Sequence, residues 1–591
     1  MRVPLEWLRE YCRPALDTPA LAQRLTMTGT KVEAIHHHGV GELDKFVVGR
    51  VLRADQHPDA DRLSVCRVDV GGGEPAQIVC GAPNVAAGQT VAVARPGALM
   101  PDGTKLGKAR LRGVESDGMI LAEDELAIGT EHAGILVLDG DHLSPGTPLA
   151  GVLPIADEVL ELEITSNRPD CLGVYGIARE AHAATGAALA PPPWAEDPGG
   201  EGDLAAVSVT VECGRELCRR FTARAFESVR IGPSPPWLKA RLMASGQRPI
   251  SNVVDITNYV MLLTAQPLHA FDLDRIAGGR LNVRQAAEGE QVETLDGQQR
   301  SLEAGMILIE DAEGPTSIAG VMGGARSEVG PDTTRVLMEA ATWDGPSIHN
   351  TAWGLGLQSE ASLRFEKQLQ PEQAIEAQAV VTQLMIEVCG ATVLPGTIDA
   401  GGPGPQPPPI RLRDQRVSGL LGTSIPRQRS AEILQALEFT ISDAPDGLDV
   451  VPPAFRRGDV TREADVIEEV ARLDGLDKLP ATLPSRHGAY GRLTGRQRQR
   501  RRAADALAAQ GLLEIVGWSF TGQDLVRKLR LAPEQRQVEV SNPMSTEQSR
   551  LRTALVGSLL DAAARNRAQG ATSVGLFETC LLYTSDAADD L

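Results

Sequence analysis

Two stretches dense in proline and glycine, APPPWAEDPGGEG at 190–202 and GGPGPQPPP at 401–409, most constrain what this 591-residue chain can fold into. Proline has no backbone N–H to give to a helix or a sheet ladder, so such runs connect folded units rather than build them. They cut the chain into three blocks. At roughly 100 to 200 residues per domain, the length holds about three to six domains.

Within the first block, residues 45–150 carry short valine-containing runs broken by glycine and aspartate, as in KFVVGRVLRAD, LSVCRVDVGGG and TVAVARPGALM. This pattern predicts a small all-β unit. Helical periodicity on either side, Pro4 to Arg24 and Gly173 to Thr185, places that unit as an insertion in a helical frame. The middle block, 205–400, mixes strands such as GMILIED with helices such as QPEQAIEAQAVVTQLMIEVCG, an α+β pattern. From 410 a mixed α/β segment ends in the helical run EADVIEEVARLDGL. After Pro484, TGRQRQRRRAADALAAQGLLEIVGWSF reads as a basic amphipathic helix leading into a strand.

Composition narrows the function classes. Asp and Glu number 78 against 58 Lys and Arg, a formal net charge of -20, so the global field repels phosphate and excludes a general DNA binder; nucleic acid would have to be met by local basic patches. No run approaches the roughly 18 consecutive apolar residues of a bilayer-spanning helix. The N-terminal MRVPLEWLREYC carries Glu6 and Glu10 and has neither an apolar signal core nor an acid-free transit composition, so a cytoplasmic location is expected. The eight cysteines are scattered without zinc spacing, and neither structural zinc nor a disulfide framework is expected.

The most specific chemical pattern is RRGDVTREADVIEEVARLDGLDKLP. Asp465, Glu468 and Glu469 stand at i, i+3 and i+4, able to share a helical face, with Asp459 six residues before on the approach. Oxygen-only ligands without His or Cys favour Mg²⁺ or Ca²⁺ over zinc. Spacing alone leaves a solvated acidic helix face as the commoner meaning of such a run. His269, taken alone, is likewise more often a satisfied structural histidine than a catalytic one. Lys105, Lys108, Arg110 and Arg112 in TKLGKARLRG, and the arginines at 496, 498, 500, 501 and 502, suit phosphate, although charge runs more commonly serve solubility.

The acidic segment resembles the magnesium-binding stretch of the bacterial phenylalanine-tRNA ligase beta subunit family, and other motifs agree with it in order along the chain to about residue 579. They include VVGRVLRADQHPDADRLSVCRVDVG, IVCGAPN, GVESDGMILAEDEL, ELEITSNRPDCLGVYGIARE, RPISNVVDITNYVMLLTAQPLHAFDLDRI, TLDG, IAGVMGG, VLMEAATWD and VSNPMSTEQSRLRTALVGSLLDAAARN. The resemblance implies a multidomain α+β chain. An N-terminal helical and strand module (1–39 with 152–190) would hold an inserted OB-fold β-barrel that binds tRNA (40–151). A linker (191–204) would lead to an α+β editing module of B3/B4 type (205–400). A second linker (401–409) would precede a small α/β magnesium-binding module (410–484) and a partial class II synthetase-like antiparallel-sheet module (485–579).

The same resemblance implies residue roles. Glu339 would accept a hydrogen bond from the hydroxyl of a misattached tyrosine, and His269, Thr257 and Asn258 would line the same pocket and hold the ester and the attacking water. Gly323 and Gly324 would allow close backbone approach. Asp459, Asp465, Glu468 and Glu469 would hold Mg²⁺, and Lys105, Lys108, Arg110 and Arg112 would touch tRNA phosphates. An alpha subunit would carry the ATP-dependent synthetic site, the two chains forming an (αβ)₂ heterotetramer that charges tRNA(Phe). A free-standing RNA-binding protein and a stand-alone hydrolase of mischarged tRNA are the rival readings. Two departures stand out. IHNTAWGLGLQSEASLRFEK has NTAWG where the family has a basic run, and CLLYTSDAADDL, the tail at 580–591, resembles nothing expected there, so a C-terminally truncated chain is expected.

Overall fold

The chain leaves its N-terminal module and returns to it at one paired position. In the computed structural model the strand Lys31–Gly39 runs antiparallel to Ala156–Glu163, with Gly39 opposite Ala156, and Arg2–Pro4 completes the sheet on the other side. At that junction Gly39 has φ 93°, and a Cβ there would lie 2.1 Å from the Ile155 carbonyl oxygen, so only glycine lets the two connections meet. The structure describes residues 1–138, 143–199, 202, 204–483, 491–530, 537–580 and 582. Gly200, Glu201 and Asp203 of the first linker, Pro484 at the expected module border, and most of the 580–591 tail lie outside these.

The insertion is a five-stranded antiparallel sheet in the order Ala76–Cys80, Ser64–Asp69, Phe46–Gln56, Thr90–Ala94 and Met119–Ile120. Its long strand Phe46–Gln56 shifts register between Val51 and Arg53, so its first half pairs with Thr90–Ala94 and its second with Ser64–Asp69. Such an irregularity bends a strand and curls its sheet. Phe46 and Val48 face one core while Val47 and Val51 face another, which is the strand alternation legible in the sequence.

The middle block holds two five-stranded sheets. One runs Ser208–Val211, Arg280–Gln285, Ile307–Asp311, Gly314–Ile318 and Met322–Gly323; the other runs Leu268–Asp272, Val336–Trp343, Cys218–Glu227 and Thr392–Val393, with Ile398–Ala400 also on Cys218–Glu227. Val336–Trp343 is buried from end to end. Leu337, Ala341 and Trp343 meet Ile309 and Ile318 of the first sheet, while Val336 and Met338 meet the helices Asn252–Thr264, Pro371–Cys389 and Val174–Thr185.

The block from 410 pairs Ile410–Arg413, Gly447–Val451 and Thr440–Ala444 under the helices Arg427–Ala436 and Glu463–Asp474, around Leu412, Leu434, Val450, Val466 and Val470. Residues 482–591 form a separate unit. It contains the helices Gly495–Ala509 and Val556–Ala568, a parallel pair Leu513–Glu514 with Leu576–Phe577, and an antiparallel pair Phe520–Thr521 with Arg550–Leu551. A continuous antiparallel sheet, as expected for this block, is not formed among its described residues. The strand pairs are two residues long, too short to cover one another's apolar faces.

Candidate functional site

Strand register builds the centre of the site. His269 on Leu268–Asp272 pairs with Glu339 on Val336–Trp343, and Glu339 pairs on its other side with Ala223. Directly opposed residues place their Cβ atoms on one face about 4.5 to 5.5 Å apart, so His269 and Glu339 stand side by side on the face turned toward the first sheet. His269 is half-buried, its Nε2 is enclosed with no hydrogen-bond partner among the described residues, and burial lowers its pKa to about 4. Phe271, two residues on and therefore on the same face, meets the ring edge-on with centroids 4.5 Å apart. A Cβ on Gly323 would lie 2.3 Å from His269 Cε1, so bare backbone closes over the imidazole.

Glu339 is 6% exposed and no hydrogen bond to its carboxyl is formed among the described residues, and burial pushes its pKa up to about 8. Both groups are therefore mainly neutral near pH 7. A neutral imidazole with a free nitrogen beside a protonated carboxyl can hold a polar ligand without burying a net charge.

Thr257 and Asn258 come from the helix that adjoins the strand of His269. They are half-buried on Asn252–Thr264, which packs on the opposite face of the sheet through Ile256, Val260 and Leu263, and the Thr257 hydroxyl donates to the Val254 carbonyl at 2.7 Å. Strand pairing thus joins His269 to Glu339 directly, and the adjoining helix supplies Thr257 and Asn258. Phe271 was missed in the sequence, although its i+2 spacing from His269 in LHAFD was the available signal.

The acidic helix is built differently from the expected cation site. Glu469, 3% exposed, accepts from Arg456 Nη1 at 2.8 Å and Nη2 at 2.9 Å, and from Arg472 Nη2 at 2.7 Å. Asp459 accepts from Arg456 Nη2 at 2.8 Å. Asp465 turns back to the helix start, where it accepts from the backbone N–H groups of Thr461 and Arg462 at 3.0 and 2.8 Å. Glu468 faces solvent. The four carboxylates do not converge, and among the described residues no group of three or more His, Cys, Asp or Glu is placed to hold a metal ion. The counter-charge that stacked carboxylates require comes from guanidinium groups, which hold the Glu469 carboxyl well below its ordinary range. These residues do not fit a magnesium site within this chain. A metal chelator should therefore leave the thermal unfolding midpoint unchanged; a fall reversed by added Mg²⁺ would show instead that a cation binds the folded state.

The charge network continues into the N-terminal module. Arg472 donates to Glu180 at 2.6 Å and to the Thr28 carbonyl at 2.9 Å, and Arg168 bridges Glu180 at 2.7 Å and Asp170 at 2.8 Å.

Lys105, Lys108, Arg110 and Arg112 are all exposed in and around the hairpin of Ala109–Leu111 and Val114–Ser116. Lys108 and Arg110 line a cleft of about 870 Å³ with Lys45, Arg67 and Arg95, and with the acids Asp44, Glu74, Glu115 and Asp117. Lys105 and Arg112 do not line it. Lys45, Arg67 and Arg95 were missed because they come from three separate strands or loops that only folding unites.

Sequence profiles of four domain families match the chain: a tRNA binding domain over residues 46–148, the B3/4 domain over 217–390, the tRNA synthetase B5 domain over 410–476, and the phenylalanyl tRNA synthetase beta chain CLM domain over 479–591. The last span takes in the 580–591 tail. Phenylalanine–tRNA ligase beta subunits of Moorella thermoacetica, Nitratidesulfovibrio vulgaris and Geobacillus kaustophilus are 43%, 42% and 41% identical to it. These alignments cover 98%, 100% and 99% of this chain and 72%, 74% and 73% of the respective relatives. On this agreement, which runs through every block that the linkers define, the chain belongs to the phenylalanine–tRNA ligase beta subunit family.

Proposed function

We propose that this chain works with an alpha subunit, in an (αβ)₂ assembly in the cytoplasm that charges tRNA(Phe) with phenylalanine using ATP and Mg²⁺, and that its own chemistry is hydrolysis of tyrosine misattached to that tRNA. The observation that carries the editing reading is the juxtaposition of His269, whose Nε2 is enclosed, and the buried Glu339, neither with a side-chain hydrogen-bond partner among the described residues. An apolar synthetic pocket rejects an isostere that merely adds a hydroxyl by only about 100-fold, so a second site that rewards the hydroxyl is needed. Glu339 supplies that reward. Its carboxyl can pair with the tyrosine hydroxyl, whereas phenylalanine would leave it buried and unpaired.

Hydrolysis requires water oxygen to bond to the ester carbonyl carbon while the bond to the ribose oxygen breaks and that oxygen regains a proton. His269 Nε2, unpaired among the described residues, can accept a hydrogen bond from this water when the ring proton is on Nδ1. With its conjugate acid at about 4, the imidazole is a weak base, and orienting the water is its better role. Thr257 and Asn258 are proposed to act on the part of the ester beyond the amino-acid side chain, as their place on another element suits. Lys105, Lys108, Arg110 and Arg112, with the cleft arginines, are proposed to position tRNA through phosphate rather than to read bases. An OB-type barrel for 40–151 and a class II-like ancestry for 485–579 belong to the same proposal.

The test is hydrolysis of tyrosyl-tRNA(Phe) and phenylalanyl-tRNA(Phe) by the chain with its alpha subunit across pH 6 to 9, corrected for spontaneous loss. The preference for the tyrosyl ester should grow as pH passes through about 8, because an ionised Glu339 penalises phenylalanine more than a neutral one. No hydrolysis of either ester sinks the editing reading. Hydrolysis unaffected by omitting the alpha subunit marks a stand-alone hydrolase.

A further inference from the structure

We infer that Trp353 is a stacking platform for an unpaired base at the 3′ end of the tRNA entering the editing site. The inference rests on the editing reading and concerns the helix that carries NTAWG. The helix Gly345–Gly354 begins directly after the strand that carries Glu339, capped by the Asp344 side chain, which accepts from Ser347 N–H at 3.1 Å. Its inner face, Ile348 and Ala352, is fully packed. A Cβ on Gly320 would touch Trp343, Ile348 and Phe365, and Ser359 Oγ donates to the Val321 carbonyl at 2.9 Å. The helix and the turn after it therefore lie on the segment whose Gly323 covers His269.

On the outer face Trp353 is 64% exposed, with the His349 ring one turn earlier at a centroid distance of 5.7 Å and tilted by 41°. An indole this exposed beside a second ring offers a flat apolar face with a polar edge, the kind of side chain enriched at contact surfaces. The helix has no lysine or arginine, so it cannot hold phosphate by charge. What fits it is a flat π face, and the ligand that must reach the adjoining site is an ester on the single-stranded end of an RNA. Stacking of one base on an aromatic side chain tolerates any base.

Wild type, Trp353→Ala and Trp353→Phe are compared on tyrosyl-tRNA(Phe) and on tyrosine ethyl ester, which has no base. In Trp353→Ala the ratio of kcat/KM for the tRNA ester to that for the ethyl ester should fall about 5- to 150-fold, the range that base stacking supplies. The change should sit in KM, and Trp353→Phe should recover most of it. A ratio equal to wild type in Trp353→Ala overturns the inference. If wild type hydrolyses neither ester, the editing reading has failed, and binding of an ACCA oligonucleotide decides the platform. Tryptophan fluorescence quenched in wild type and not in Trp353→Ala supports it, and equal or absent quenching refutes it.

Discussion

Glu339→Ala is expected to lose most of its preference for tyrosyl-tRNA(Phe) over phenylalanyl-tRNA(Phe), by about 10- to 100-fold, which corresponds to one hydrogen bond to a charged or strongly polar buried group. The carboxyl lies on a strand buried on both faces, and its nearest cross-strand neighbours are His269 and Ala223. No hydrogen bond to its carboxyl is formed among the described residues, so the variant removes a carboxyl free to reward a hydroxyl at that depth. Glu339→Gln keeps a hydrogen-bonding group but cannot ionise, and its selectivity should be flat across pH 8. Stability moves in the opposite sense. A carboxyl raised from 4.5 to about 8 on folding contributes stability that is present below its unfolded value and lost as pH rises through its folded one. Glu339→Gln should therefore unfold at higher denaturant than wild type above about pH 8. Unaltered selectivity in Glu339→Ala would remove the carboxyl from the specificity mechanism.

The sequence and the structure part company where register and distant ion pairs decide the outcome. Strand VLMEAATW shows no alternation, because both of its faces are buried, and Glu339 stands in it as the one charged residue. That a glutamate so placed is functional can be argued from burial alone. That it lies beside His269 cannot, since 70 residues separate the two and only the pairing of two strands joins them. The helix Glu463–Asp474 shows the converse failure. Its carboxylate spacing is real, but side chains at i, i+3 and i+4 share a face only loosely, and each took the partner its depth allowed. Asp465 at the first turn found backbone donors, Glu468 found water, and Glu469 on the buried side found arginines. Arg456 and Arg472 stand in the same segment and were visible. What could not be seen was that Glu180, 292 residues from Arg472, completes the network.

Replacing Arg456 by methionine should destabilise the chain by about 3 kcal/mol, because the buried Glu469 keeps only Arg472 as counter-charge and the half-buried Asp459 loses its guanidinium. Arg456 is fully buried and meets both Asp459 and Glu469 through paired N–H donors, a geometry in which planar arginine outperforms lysine, so Arg456→Lys should recover only part of the loss. In Arg456→Met with Glu469→Gln, one buried charge goes with its partner, and stability should return toward wild type; this double variant separates a stranded charge from lost packing. The pH sign follows from Glu469, whose carboxyl is held far below 4.5 in the fold. Its contribution is present above that value and is lost as pH falls beneath it, so wild type should weaken in acid more steeply than the double variant. Urea unfolding midpoints at pH 7 and pH 4 measure both effects. An Arg456→Met chain as stable as wild type would mean that Arg472 alone compensates Glu469, and a lowered midpoint restored by Mg²⁺ in that variant would show a cation taking the place of the missing guanidinium.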